Sequence, residues 1–297
     1  MASSLRLIAI TALAPALWGG TYVLFTEALP TTHPLWVGAL RTLLAGLLLM
    51  LGVGAPPRRL WAPLAILGTA NVGLFSALLF VSASRLPGGT AATLASTQPL
   101  IAALVAWPLF GRPPAATVAA ALVGIGGIGL VVLDPSTRLD PIGLAAALGA
   151  AASMATGTVL VRRWRGIAEP LPLAAWQLTF GGLFLSPAAV LLEGAPPVAT
   201  PTHVAALVLL VTVGTAFAFW IWIRGVAVLG PDAAFLGLLS PVVAASLGAA
   251  LLGEWFSAQQ LVGVGLVLGA TAAGMAASPR HSFASASRGG PTHLEGV

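Results

Sequence analysis

The chain has 297 residues, of which 58% are hydrophobic and 7% charged, with a formal charge of +5. Soluble domains carry about 25% charged residues, so a water-soluble fold is excluded, and no connector between the apolar runs is long enough for a soluble domain. All 13 basic residues are arginine, mostly in short connectors where they act as topology signals rather than a nucleic-acid surface, and the absence of cysteine excludes disulfides, thiolate metal sites and a cysteine nucleophile.

Arg6, the following apolar run and Ala14-Pro15-Ala16 resemble a secretory signal. The run continues through Phe25, too long for a signal core, and is read as a retained span. A spanning helix needs about 20 mostly apolar residues. Nine charge-free intervals meet that length: Leu7–Thr26, Leu60–Ser84, Leu86–Gly111, Pro113–Leu133, Pro141–Val161, Pro170–Leu192, Gly194–Ile223, Ala233–Gly253 and Trp255–Pro279. A tenth, Pro34–Leu51, is interrupted once by Arg41. None shows the alternation of barrel strands, so the expected fold is all-α and integral to the membrane, with ten transmembrane helices. Breakers such as Pro56-Pro57, Pro113-Pro114, Asp134-Pro135, Pro196-Pro197 and Gly230-Pro231 fill the connectors.

An even number of spans places both termini on one side. With that side inside, Arg6, Arg58, Arg59, Arg112, Arg162, Arg163, Arg165, Arg224, Arg280 and Arg288 are cytoplasmic, and Arg85 and Arg138 lie outside. This arginine bias predicts cytoplasmic termini. The polar segment after Ala277 reads as a disordered tail over 279–297.

The two halves repeat each other. AALVGIGGIGL (Ala120–Leu130) matches QQLVGVGLVLG (Gln259–Gly269), and STQPLIAALVAWPLFG (Ser96–Gly111) matches LLSPVVAASLGAALLG (Leu238–Gly253). LRTLLAGLLL (Leu40–Leu49) parallels WQLTFGGLFL (Trp176–Leu185), which sets Arg41 opposite Gln177 and Gly46 opposite Gly182. Five spans per repeat, an odd number, imply inverted topology, with residues 1–137 and 138–278 as the repeats. Carriers built this way hold their site at the repeat interface near the midplane.

Ala16-Leu17-Trp18-Gly19-Gly20, Leu40-Arg41-Thr42-Leu43-Leu44-Ala45, the Pro99 and Pro241 helices and the glycine-rich fifth and tenth spans together resemble the drug/metabolite transporter superfamily, in its ten-helix EamA-type branch. The resemblance covers about Leu5 to Ala277. It implies export of amino acids, drugs or related metabolites across a bacterial inner membrane, with aromatic amino-acid exporters as the nearest likeness. Gly111-Arg112 departs from the Gly-Glu pair usual in the family, which Gly253-Glu254 keeps.

Candidate substrate-binding residues fall in three groups. Pro99 and Pro241 are expected near the centres of spans four and nine, freeing carbonyls near Ala95 and Gly237, with Ser96, Gln98 and Ser240 beside them. Aromatic and polar side chains at helical spacing form the second group: Trp18 with Tyr22, Asn71 with Phe75, and Phe217 with Trp220, joined by Met154 and Thr158. Arg41 is a charge well inside a span. It could meet a substrate carboxylate, yet it lies within snorkelling reach of the interface, and a structural or gating role is favoured. The glycines of spans five and ten are read as packing surfaces.

Alternating access is the expected mechanism. No carboxylate falls in the middle of a span and the four histidines are expected in connectors or the tail, so facilitated movement is favoured over strict proton coupling. Glu27 and Glu254 are the remaining coupling candidates, and a proton-coupled multidrug or metabolite carrier is the alternative. The residues for an enzyme are missing, and no channel filter is recognisable. No cofactor, metal or nucleic acid is expected. The partners expected are the lipid bilayer and a small-molecule substrate, with the chain a monomer or weak homodimer.

Overall fold

A computed structural model describes residues 2–133, 139–164, 166–229 and 236–277. The tail over 279–297, Arg138, Arg165, Arg280, Arg288 and the boundary between residues 137 and 138 lie outside the described residues.

Hydrocarbon supplies no partner for a backbone amide, so apolar runs of this length must close their hydrogen bonds internally as helices. The helices are α1 (Ala2–Ala28), α2 (Pro34–Val53), α3 (Arg58–Ala83), α4 (Gly88–Phe110), α5 (Ala115–Val132), α6 (Pro141–Arg163), α7 (Pro170–Glu193), α8 (Pro201–Leu229), α9 (Leu236–Leu252) and α10 (Ala258–Ala277). All except α9 are long and apolar enough to cross a membrane, and α9 is a shorter apolar helix. Pro34, Pro141, Pro170 and Pro201 open α2, α6, α7 and α8, where a missing N–H loses no bond. Gly54 and Gly194 close α2 and α7 with φ of +76° and +77°, a conformation that a side chain resists.

The most extensive helix pairings join each repeat's element to its counterpart: α2 to α7, and α5 to α10. Both pairs run antiparallel. At one end of the α2/α7 pair, the Glu193 carboxylate accepts from the N–H groups of Leu35 and Trp36, at 2.8 and 3.0 Å, and Trp36 Nε1 donates to Gly194 O at 3.1 Å. At the other end, Trp176 Nε1 donates to Gly54 O at 2.9 Å. Midway, Gly46 lies against the Thr179 backbone and Gly182 against the Leu43 backbone. These two contacts exchange under the repeat alignment, as an approximate two-fold axis requires. In the α5/α10 pair, a Cβ on Gly127 would sit 2.8 Å from Gly263 O, and one on Gly263 would sit 2.7 Å from Gly127 O. The repeats are inverted.

Three sequence expectations change. Span eight does not begin at Gly194: Thr200 accepts from the His203 N–H at 3.1 Å and Pro201 follows, so a cap rather than a charge sets its start. His203 thus belongs to the first turn of α8 instead of a connector, and Arg224 lies inside α8, its guanidinium 4.3 Å from the Trp220 ring centre. Pro241 lies within one turn of the middle of α9. It falls in the first turn of the helical run Leu239–Leu247, where a proline breaks no bond within that run.

Candidate functional site

Two spans carry a turn of π-helix at mid-length: Thr69–Gly73 in α3 and Thr212–Phe217 in α8. A π-turn shifts the backbone pairing by one residue, and such turns concentrate at functional sites. Hydroxyls take up carbonyls in or beside both turns. Ser153 of α6 donates to Ala70 O, and Thr215 donates to Leu210 O at 2.8 Å.

Each π-turn receives a polar side chain from the other repeat. Arg41 of α2 donates from Nε to Thr215 Oγ1 at 2.9 Å, and its guanidinium carbon lies 5.5 Å from the Phe80 ring centre. Asn71 of α3 donates from Nδ2 to Gln177 Oε1 on α7 at 2.9 Å, and is packed directly against Gly157 of α6. Arg41 is 5% exposed, so it does not snorkel; the Thr215 hydroxyl and the Phe80 face hold it inside. Arg41 Nη1 and Asn71 Oδ1 are buried without a hydrogen-bond partner.

Tyr22 is 6% exposed. It belongs to a cluster with Phe25, Phe80 and Leu210, against which Phe75 packs. Trp18, one turn earlier on α1, goes elsewhere: its ring meets Phe219 at 5.5 Å and Trp222 at 5.4 Å on α8. Phe217 and Trp220 stack at 6.1 Å, with Phe217 44% exposed. Trp18 and Tyr22 share one helical face but meet different parts of α8: Trp18 packs on Phe219 and Trp222 of its later part, and Tyr22 clusters with Leu210 of its earlier part.

Around Pro99 the helix breaks. Its first part ends at Ala95 and the second starts at Gln98. The hydroxyls of Ser96 (2.7 Å), Thr97 (2.7 Å) and Thr271 (3.4 Å) donate to the carbonyls of Thr93, Leu94 and Ser96, and the first two carbonyls also take the backbone N–H groups of Ser96 and Thr97. Gln98 Nε2 donates to Thr158 Oγ1 at 3.2 Å, and Thr158 donates to Met154 O at 2.8 Å. This places Ser96, Gln98, Pro99, Met154 and Thr158 in one neighbourhood between α4 and α6. Ser240 and Pro241 lie on α9, where the Ser240 carbonyl closes on Gly19.

The carboxylates sit at helix ends. Glu254 accepts from the Gly88 N–H at the start of α4 at 2.9 Å; burial pushes its carboxyl above the usual glutamate value, and the Gly88 bond partly offsets this. Asp140 caps α6 and pairs with Arg85 at 3.0 Å; the Gly143 N–H holds its carboxyl below the usual aspartate value against desolvation, with Arg85 and the Ile142 N–H adding to the same direction.

Thr215, Gln177 and Phe80 were not among the residues singled out from sequence. The tripeptide Gly-Thr-Ala occurs at 68–70, 89–91 and 214–216, and the first and last of these fall at the two mid-span π-turns; the π-turn that ends α9, Gly248–Leu252, lacks it.

A family model described as the EamA-like transporter family matches residues 6–133 and again 141–273. The chain is 39% identical to Protein PecM of Dickeya dadantii over 262 residues, covering 86% of this chain and 88% of that protein. It is 28% identical over 276 residues to a protein of Salmonella typhimurium named a probable amino-acid metabolite efflux pump, covering 86% and 90%. A solved crystal structure shares the fold with a TM-score of 0.63 at 21% identity, covering 92% of this chain and 98% of the other. With ten apolar helices among the described residues, in two inverted halves, and a transporter model matched once in each half, the chain belongs to the EamA-like transporter family of the drug/metabolite transporter superfamily and is a multi-pass membrane transporter.

Proposed function

We propose that this protein exports amino acids, aromatic ones among them, or closely related small metabolites by alternating access, moving substrate down its own gradient. The observation that carries this reading is the pair of buried polar contacts at mid-span, Arg41–Thr215 and Asn71–Gln177, each joining one repeat to the other. A carrier of inverted repeats binds at that interface, and buried polar groups there are costly unless used. The likeness to a protein named an amino-acid metabolite efflux pump supports the substrate class.

In this reading the side chains near the π-turns and the α4 break, Tyr22, Asn71, Phe75, Ser96, Gln98, Pro99, Met154 and Thr158, line the substrate path. Trp18, Phe217, Trp220, Ser240 and Pro241 line its α1, α8 and α9 side. The chain lies in a bacterial inner membrane with both termini cytoplasmic. Facilitated movement is supported by the carboxylates among the described residues: Glu27, Asp140, Glu169, Glu193 and Glu254 all sit at span ends or in connectors.

Uptake of labelled phenylalanine, tryptophan and threonine into proteoliposomes, with and without an imposed pH gradient, tests the proposal. Saturable uptake indifferent to the gradient is expected; no uptake of any amino acid would reject the substrate class. Proton-coupled efflux is the second reading. One observation favours it: the half-buried Glu254 carboxyl, raised by desolvation at the mouth of α4. Uptake that needs the gradient and loses that need in Glu254→Gln would establish it.

A further inference from the structure

We propose that Arg41 is the docking point for a carboxylate on the transported molecule, with the free Nη1 edge of its guanidinium as the contact. This deepens the amino-acid reading above and rests on it.

The guanidinium is held but not satisfied. Thr215 Oγ1 takes its Nε, the Phe80 ring lies 5.5 Å from its carbon, and the residue is 5% exposed. Nη1 has no hydrogen-bond partner. A buried cation without a counter-ion is costly, and the carboxylates of the described residues are engaged elsewhere. Glu193 accepts from α2, Glu254 from Gly88, and Asp140 pairs with Arg85, while Glu27 and Glu169 are exposed at helix ends.

The other repeat shows what the position needs for packing alone. Gln177 occupies the corresponding place on α7 and reaches its π-turn residue, Asn71, with a neutral amide. Bridging the repeats therefore requires no charge, and the charge of Arg41 serves something else. A guanidinium fixed through one nitrogen and left unpartnered, though buried, at another is pre-organised for a planar anion that reaches it. A carboxylate arriving there gains a charge-assisted bond in a dry setting and removes the uncompensated charge. A neutral amide or a free amine in its place gains neither. The ligand class is thus a monocarboxylate, zwitterionic amino acids included.

The test is competition against labelled phenylalanine uptake in proteoliposomes carrying the full chain. Unlabelled phenylalanine, phenylalaninamide and phenylethylamine compete, with wild type and Arg41→Gln compared. In the wild type the amide and amine are expected to compete about tenfold or more weakly than phenylalanine. In R41Q the KM for phenylalanine rises by about tenfold or more, and the three competitors become equivalent. Equal competition by all three in the wild type, or an unchanged KM in R41Q, overturns the proposal. Glutamine already fills this place at 177, so R41Q is expected to fold; should it not, the wild-type competition decides.

A second readout does not depend on amino-acid transport. Benzoate and phenylacetate are expected to raise the thermal midpoint of the purified wild type and leave that of R41Q unmoved. Stabilisation by these acids without any amino-acid uptake would reject the amino-acid reading and keep the Arg41 subsite. Absence of stabilisation by benzoate, phenylacetate and phenylalanine alike would overturn the subsite.

Discussion

Arg41 and Gln177 hold corresponding places on α2 and α7, and each bonds a π-turn residue of the opposite repeat at 2.9 Å. The chemistry is reversed between the two. Arg41 can only donate, and takes Thr215 Oγ1 as its acceptor; Gln177 here accepts, from Asn71 Nδ2. One architectural position thus carries a charge in one half and a neutral amide in the other. The two-fold-related positions thereby differ by one cationic side chain.

Thr215 serves two buried groups at once, accepting from Arg41 Nε and donating to Leu210 O. Thr215→Val should therefore cost about 2–3 kcal/mol, since it strands a donor and an acceptor together. Thr215→Ser, which keeps the hydroxyl, should stay within about 1 kcal/mol of wild type. Denaturant titration in mild detergent measures both. Gln177→Leu should behave like Thr215→Val on a smaller scale, because it strands Asn71 Nδ2 alone.

The glycines of α5 and α10 are not equivalent, although their sequence pattern treats them alike. A methyl on Gly263 would press on Gly127 O from 2.7 Å, whereas one on Gly265 meets nothing within 4 Å. Gly263→Ala should lower stability by about 1–3 kcal/mol through overpacking. Gly265→Ala should be neutral or stabilise by up to about 1 kcal/mol through helix propensity. Comparison of their unfolding midpoints checks the pairing of the two helices.

Trp36 and Trp176 lock opposite ends of the α2/α7 pair through indole bonds to Gly194 O and Gly54 O. Trp36→Phe and Trp176→Phe should each cost about 0.5–1.5 kcal/mol. Lying at opposite ends of the helices with no shared partner, they should add in the double variant to within about 0.5 kcal/mol. A large coupling in the double-mutant cycle would show that the two ends do not act independently.

Glu254 gives a stability profile with a definite sign. Its carboxyl titrates above the ordinary value of 4.5 because burial disfavours the ionised form. The folded chain therefore binds a proton more tightly than the unfolded one, and stability falls as pH rises through the window just above 4.5. Glu254→Gln should flatten that part of the profile, read as thermal midpoint against pH. Asp140 has the opposite sign: its depressed value makes its contribution present above 3.8 and lost as pH falls below it.

The spans, the repeat and the lone charge of α2 were legible because hydrophobic length, breaker residues and the Leu-Val-Gly-x-Gly echo are local signals. The break before Pro99 was legible for the same reason. The π-turns were not, since shifting a backbone bond by one residue leaves hydrophobicity and period almost unchanged. The partners of Arg41 and Asn71 were hidden too, because they lie 174 and 106 residues away. Arg224 misled the boundary of α8, as a cation lying over Trp220 can stay within a helix that a charge-free interval would end. The glycines of α5 and α10 divide into buried and open ones only when the opposing helix is in place.

Counterflow tests the central claim most directly. Proteoliposomes preloaded with unlabelled phenylalanine should take up external labelled phenylalanine faster than empty ones, with saturation and with no need of a pH gradient. That acceleration requires a site exposed to one side at a time. Uptake that is linear in concentration and indifferent to preloading would contradict alternating access, and would point to a pore through the same ten-helix frame.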